Sequence, residues 1–289
     1  MACGSNGWHK LQPIKKNDEE WYILPKAAEG VRCVYRIEDC PEISANYYLS
    51  GRSRGSSLKL CGKVMIISCL VKRSEGEFDQ RAVFQYFEEL NRACEMLERE
   101  ARRLDAELSF ENRHFNIDLP PTVDPRKGFS LLKNFLTLKT TKQAKQYYGP
   151  RFDADETPFI LVFDEWNRSF SWEQTKFNKR YVNEVSVIFR DQHAFSWRTI
   201  AHELLHQYGA VDFYFPDETQ RCADACLGES IMGYHGECVD DLTAYLVGWT
   251  DTLSDGAYRF LKETMWMTYE RNMQEMSRTW EVDIFQGAK

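Results

Sequence analysis

The hydrophobic positions change period several times along the chain, and each change predicts an element. Val64-Met65-Ile66-Ile67-Ser68-Cys69-Leu70-Val71 is almost wholly apolar and rich in β-branched side chains, which predicts a buried strand. From about Asp79 to Leu108 the apolar residues Val83, Phe84, Tyr86, Phe87, Leu90, Cys94, Leu97, Ala101 and Leu104 recur at helical spacing, so this stretch reads as one long amphipathic helix. Phe115 to Leu119 reads as a strand closed by Pro120-Pro121, and Ser130 to about Tyr147 as a helix stopped before Gly149-Pro150. Phe159–Phe163 and Val182 to Phe189 are two more strands, the second with the clearer alternation. Short strands are expected at Trp21–Pro25 and Val31–Ile37. Ser50 to Ser57, with Gly51 and Gly55 among several serines, reads as a loop. Strands alternate with helices and C-terminal helices follow, the order of an α/β (α+β) fold with a mixed, twisted sheet.

Composition then removes whole classes of function. Of 289 residues, 37 are Lys or Arg and 44 are Asp or Glu, a formal charge of −7. A nucleic-acid binder needs a basic face to neutralise phosphates, so no nucleic-acid partner is expected. No apolar run reaches the ~18 residues of a membrane span, so no transmembrane segment is expected. Nine cysteines, an odd number in a long chain, do not form the framework of a secreted disulfide scaffold. They favour a reducing, cytoplasmic setting. The alternative is an exported or lipid-anchored bacterial protein trimmed at Cys3, because Ala2-Cys3-Gly4-Ser5-Asn6 resembles the residues around a lipidated cysteine.

The candidate chemistry lies in Thr199-Ile200-Ala201-His202-Glu203-Leu204-Leu205-His206-Gln207-Tyr208-Gly209-Ala210-Val211-Asp212. Four residues advance a helix by about one turn, so His202 and His206 face the same side and can grip one ion. Glu203 projects beside them as a general base for a water molecule, without having to ligate. Imidazoles, an open coordination position and a carboxylate base are the parts of a hydrolytic zinc site. Polar residues that served only a core would be desolvated to no purpose on a helix otherwise made of Ile200, Ala201, Leu204, Leu205 and Tyr208. Gly209 can end the helix at positive φ and swing Asp212 back as a third ligand. As a bare turn residue, Asp212 would instead stay at the surface.

These residues resemble the metzincin clan of zinc peptidases, whose signature runs from His-Glu-x-x-His through x-x-Gly-x-x to a third ligand and then a Met-turn. Most of the clan has His in the third position; Asp212 is similar to the snapalysin-like bacterial peptidases. Ser230-Ile231-Met232-Gly233-Tyr234 resembles the Met-turn of astacins and serralysins. The resemblance implies a zincin fold with an active-site helix and a C-terminal helical subdomain. It places Met232 as an apolar floor beneath one catalytic Zn2+ held by His202, His206 and Asp212. It also implies that Tyr234 reaches the zinc or a developing oxyanion, and that Asp240-Asp241-Leu242-Thr243-Ala244-Tyr245-Leu246 opens the C-terminal helix with Asp240 as its cap. Glu184 to Phe189 takes the place of the edge strand along which a peptide or protein substrate lies extended. Ser196 is expected to cap the active-site helix.

On this reading residues 1–60 are an N-terminal extension and 61–289 a metzincin-like catalytic domain. The expected activity is zinc-dependent endopeptidase hydrolysis, with Glu203 and Tyr234 as the catalytic residues. Two alternatives stay open. A gluzincin-type site would take Glu237 as its third ligand, and a non-catalytic scaffold would keep zinc for structure. Cys222, Cys226 and Cys238 are expected to be a loop staple or thiols, and Phe213, Tyr214 and Phe215 an aromatic wall of the substrate pocket.

Overall fold

The computed structural model describes residues 2–4, 7–9, 13–16, 19–22, 34–35, 47–49, 59–73, 78–119, 157–172, 185–191, 194–214 and 217–264. The chain divides into two compact units, Met1–Ile43 and Ser44–Lys289, so residues 44–60 fall with the second. In the first, β1 (Ala2–Gly4) pairs antiparallel with β2 (Gly7–His9). Strands β3 (Pro13–Lys16) and β4 (Glu19–Tyr22) form a separate antiparallel pair, and β5 (Val34–Tyr35) pairs with β1.

The second unit is built on a five-stranded sheet. Its second strand from one edge is β6 (Gly62–Arg73), the strand expected from the apolar run at 64–71. Helix α1 (Gln80–Arg103) follows, and β7 (Leu108–Leu119) returns parallel to β6. On the other flank of β6 lie β8 (Phe159–Trp166), then β10 (Val185–Arg190), both parallel, with β9 (Phe170–Trp172) antiparallel at the end. The order is β7-β6-β8-β10-β9. The mixed α/β sheet is therefore as expected, and the helix expected at 130–147 lies outside the described residues.

Three expectations need correction. Helix α1 stops at Arg103 rather than Leu108, because Asp105 adopts φ 56°, a left-handed turn that Asp tolerates and that releases the chain into β7. Phe84 lies off its buried stripe and is 67% exposed, while Ala82, Tyr86, Leu90, Ala93, Leu97 and Ala101 line the core. Finally, Val185–Val187 of β10 pair with β9 on the side expected to be open, so the edge strand is Phe170-Ser171-Trp172 and not 184–189.

Strand parity explains how the sheet holds the next helix. Odd positions of the central strands (Ile67, Cys69, Val71, Phe159, Leu161, Phe163, Val185, Val187 and Phe189) form one apolar cluster. Even positions meet the helices, and there two serines replace aliphatic residues. Ser68 shares a hydrogen bond with Tyr86 of α1 at 2.8 Å. Ser186, fully buried, donates to the main-chain carbonyl of Glu203 at 2.8 Å and accepts from Gln207 Nε2 at 2.6 Å. Ser171 of β9 donates to the same Glu203 carbonyl at 2.6 Å, and Gln207 Nε2 also donates to the Phe159 carbonyl at 3.0 Å. Both Glu203 and Gln207 belong to α2 (Trp197–Gln207), so this buried network fixes that helix against three strands. Ser186→Ala leaves one N–H of the buried Gln207 amide without its acceptor and removes one of the two hydroxyls on the Glu203 carbonyl. It is expected to cost about 2–3 kcal/mol, seen as a lowered urea midpoint; an unchanged midpoint would mean that the network carries no stability.

Past α2 the chain forms α3 (Asp217–Leu227), α4 (Asp241–Leu246) and α5 (Asp255–Glu263). No helix among the described residues is long and apolar enough to cross a membrane.

Candidate metal centre

The start of α2 is secured by a neighbour. Ser196 sits at the N-cap in extended conformation, but its hydroxyl makes no capping bond. The orphan N–H of Trp197 donates instead to Glu89 Oε2 of α1 at 2.8 Å. Arg92 steadies that carboxylate at 2.8 Å and lies 5.9 Å from the Trp197 ring centroid. Ser196 was thus rightly placed, and the capping role belongs to Glu89.

The end of α2 depends on Gly209, at φ 97°. Its N–H bonds the His206 carbonyl at 3.1 Å, and the Ala210 N–H bonds the Leu205 carbonyl at 3.2 Å, the paired reversal of a Schellman motif. A Cβ would be strained at this φ. The turn carries the Ala210 carbonyl back onto His206 and directs Asp212 to the same face of the helix.

His202 Nε2, His206 Nε2 and Asp212 Oδ1 form a small triangle. The two imidazole nitrogens are 3.1 Å apart, and Asp212 Oδ1 lies 3.1 Å from the first and 3.0 Å from the second. Each ring is oriented from behind: His202 Nδ1 donates to the Ile231 carbonyl at 3.0 Å, and His206 Nδ1 to the Ala210 carbonyl at 2.8 Å. A carbonyl only accepts, so both protons of the neutral rings are committed to Nδ1 and both Nε2 atoms present lone pairs. Asp212 Oδ1 is buried with no donor aimed at it. Three acceptors this close repel one another unless something positive lies among them.

A tetrahedral zinc with bonds of about 2.0–2.1 Å needs ligand atoms about 3.3–3.4 Å apart. The triangle fits that ion with a small relaxation, and among the described residues these three form the one group of its kind. Without an ion, a proton takes the place. Burial would lower the His206 pKa, but the hydrogen bond and charge of Asp212 override it and raise the ring to about 9. Burial likewise opposes Asp212, yet the two imidazoles hold its carboxyl far below the usual range.

Glu203 is 6% exposed, and its Oε2 has no hydrogen-bond partner. Its charge is one of those felt by His206. Met232 is fully buried, and its carbonyl accepts from the Phe213 N–H at 3.0 Å, tying the residue after Asp212 to the 230–234 segment. Asp240 locks that segment in turn. It caps α4 through the N–H groups of Leu242 and Thr243, both at 2.9 Å, and accepts from the hydroxyls of Ser230 and Thr243. Ser230 Oγ accepts from the Met232 N–H at 3.0 Å. Asp240 is therefore the expected cap and also the link that orients the Ile231 carbonyl behind His202.

The other candidates are sorted by where they lie. Tyr234 is 51% exposed, with its ring 5.2 Å from Tyr214. Glu237 pairs with Arg198 at 2.6 Å and takes no part in the triangle, so the carboxylate joining the two imidazoles is that of Asp212. Cys222, Cys226 and Cys238 are thiols, not a staple. Phe213 is not a pocket wall: it is fully buried, 5.2 Å from the Phe260 ring and 6.1 Å from that of Tyr48. Phe215 lies outside the described residues. Tyr214 does face the site, with its ring 6.2 Å from His202. Burial and the neighbouring Asp212 carboxylate push its phenol up to about 12, while Arg168 Nη2 donates to its oxygen at 2.9 Å. Sequence reasoning missed Arg168, which no motif near the metal residues announces.

No family model matches this chain, and no curated protein matches it. Among solved structures it is similar to metalloproteinase-II from Bacteroides fragilis, with 13% identity over 76% of this chain and a TM-score of 0.35. The match spans 59% of that protein's chain, less than two thirds of its length. A likeness this loose carries no argument about chemistry, which rests on the residues themselves.

Proposed function

We propose that this protein is a zinc-dependent endopeptidase of metzincin type. The observation that carries the reading is the triangle of lone pairs at 3.0–3.1 Å together with the buried Glu203, whose Oε2 has no hydrogen-bond partner. His202 and His206 would hold the ion through Nε2 and Asp212 through Oδ1. When bound, zinc supplies Lewis-acid polarisation of water and of the scissile carbonyl. Glu203 takes a proton from the attacking water and later delivers it to the leaving amine. A scaffold that kept zinc for structure would be served better by a fourth protein ligand than by a free carboxylate base.

The peptide lies extended beside β9, which has one strand neighbour among the described residues, so main-chain bonds supply much of its affinity. Tyr234 donates to the carbonyl oxygen as charge develops there, a role that suits an exposed phenol at the rim. Tyr234→Phe is therefore expected to lower kcat by about 10- to 100-fold with KM nearly unchanged. Equal activity of the Phe variant would remove Tyr234 from the mechanism.

The direct test combines metal analysis with cleavage of a peptide library. One equivalent of zinc, cleavage that a chelator stops and restoration by added zinc are expected. A zinc-loaded protein that cleaves no member of the library would overturn the reading.

A further inference from the structure

Arg168 occupies the turn between β8 and the edge strand β9, where its own N–H donates to Asn167 Oδ1 at 2.8 Å. Its guanidinium reaches across to Tyr214, donating from Nη2 to the hydroxyl at 2.9 Å, with Cζ 6.0 Å from the ring centroid. Tyr214 in turn stands two residues past Asp212, with its ring 6.2 Å from His202. A permanent positive charge is thereby anchored near the His202–His206–Asp212 triangle, in the turn that leads into the edge strand β9. Neighbouring arginines have carboxylate partners: Arg190 pairs with Asp164 at 2.9 Å and Arg198 with Glu237 at 2.6 Å. Among the described residues Arg168 has the Tyr214 hydroxyl and no carboxylate. One of its five N–H donors is used to anchor the fork; the residue is exposed, and its planar fork matches a carboxylate.

We propose that Arg168 is a specificity residue that holds a carboxylate of the substrate beside the scissile bond, from an acidic side chain or from the peptide's C-terminus. The proposal rests on the peptidase reading and names the substrate class for it. The contact is solvent-exposed, so it is worth a modest preference, about fivefold in affinity, and weakens at high salt.

The test measures binding without turnover. Zinc-loaded E203Q and E203Q/R168A proteins are titrated calorimetrically with peptides that differ only by Glu or Gln at successive positions, each as free acid and C-terminal amide. In E203Q the Glu peptide is expected to bind about fivefold tighter than its Gln twin at one register, or the free acid tighter than the amide. The first result identifies a side-chain carboxylate and the second a terminal one. The preference should vanish in E203Q/R168A and survive in part in E203Q/R168K. A preference that persists without Arg168, equal binding of every pair, uniform weakening of all peptides, or binding of none would each overturn the proposal. Failure of the wild-type protein to cleave these peptides is read separately; it would sink the peptidase reading and leave the binding comparison to stand on its own.

Discussion

Glu203→Gln is expected to leave zinc content at one equivalent while peptide hydrolysis falls by about 10³-fold or more. The argument starts from burial. Glu203 is 6% exposed and its Oε2 has no partner, an arrangement that costs stability and offsets nothing in the packing. Gln has the same shape and no charge, so the fold should hold or gain slightly, and α2 stays fixed because its anchor is the Glu203 main-chain carbonyl, not the side chain. The amide cannot accept a proton from water, so the loss falls on kcat. Three readouts separate the outcomes: metal stoichiometry, thermal melting and kcat. Retained turnover would show that another group is the base, and loss of zinc would show that Glu203 is a ligand.

The clustering of His202, His206 and Asp212 was legible in the sequence because its geometry is local. Helical spacing alone places His202 beside His206, and one glycine at positive φ is enough to return Asp212. What surrounds the triangle was not legible, because it comes from far along the chain. The Ile231 carbonyl behind His202, the Glu89 carboxylate at the start of α2, and Ser171 and Ser186 beneath Glu203 all reach the helix from other elements. Arg168 meets Tyr214 across 46 positions, and nothing in either local pattern announces the pairing. Phe213 and Tyr214 are adjacent in sequence, yet one faces the core and the other the site, a distinction only the tertiary path makes.

The fold divides in the same way. Strands β6 and β8 were legible because both of their faces are buried and the apolar runs are nearly continuous, and β10 through its alternation. Strand β7 was found only at its C-terminal end: on the sheet's flank it carries Ser109, Glu111, Asn112 and Arg113, so half of it reads as polar loop. Strand β9 has three residues, too few to show a period, and missing it moved the expected edge of the sheet one strand inward. That error bears on the proposed peptide path, since it is β9, rather than β10, that ends the sheet on this side.

Asp212→Ala should weaken zinc binding by about 10³-fold, more than the 10–100-fold typical of removing a group that only orients a ligand. In the proposed site Asp212 would supply one of three donor atoms and the only formal charge among them, since its Oδ1 lies 3.0–3.1 Å from both imidazole nitrogens. Removing it leaves two neutral rings held by the Ile231 and Ala210 carbonyls. They stay in place but bind the ion as a weak bidentate site. Glu237→Ala is the matched control: Glu237 is exposed and paired with Arg198, so its loss should leave zinc stoichiometry and affinity unchanged. Competition titration with a zinc chelator, alongside a circular dichroism spectrum to verify the fold, distinguishes the two carboxylates. If Glu237→Ala lost the metal and Asp212→Ala kept it, the coordinating carboxylate would be the one on the far loop, and the lone-pair triangle would be a proton-sharing cluster rather than a metal site.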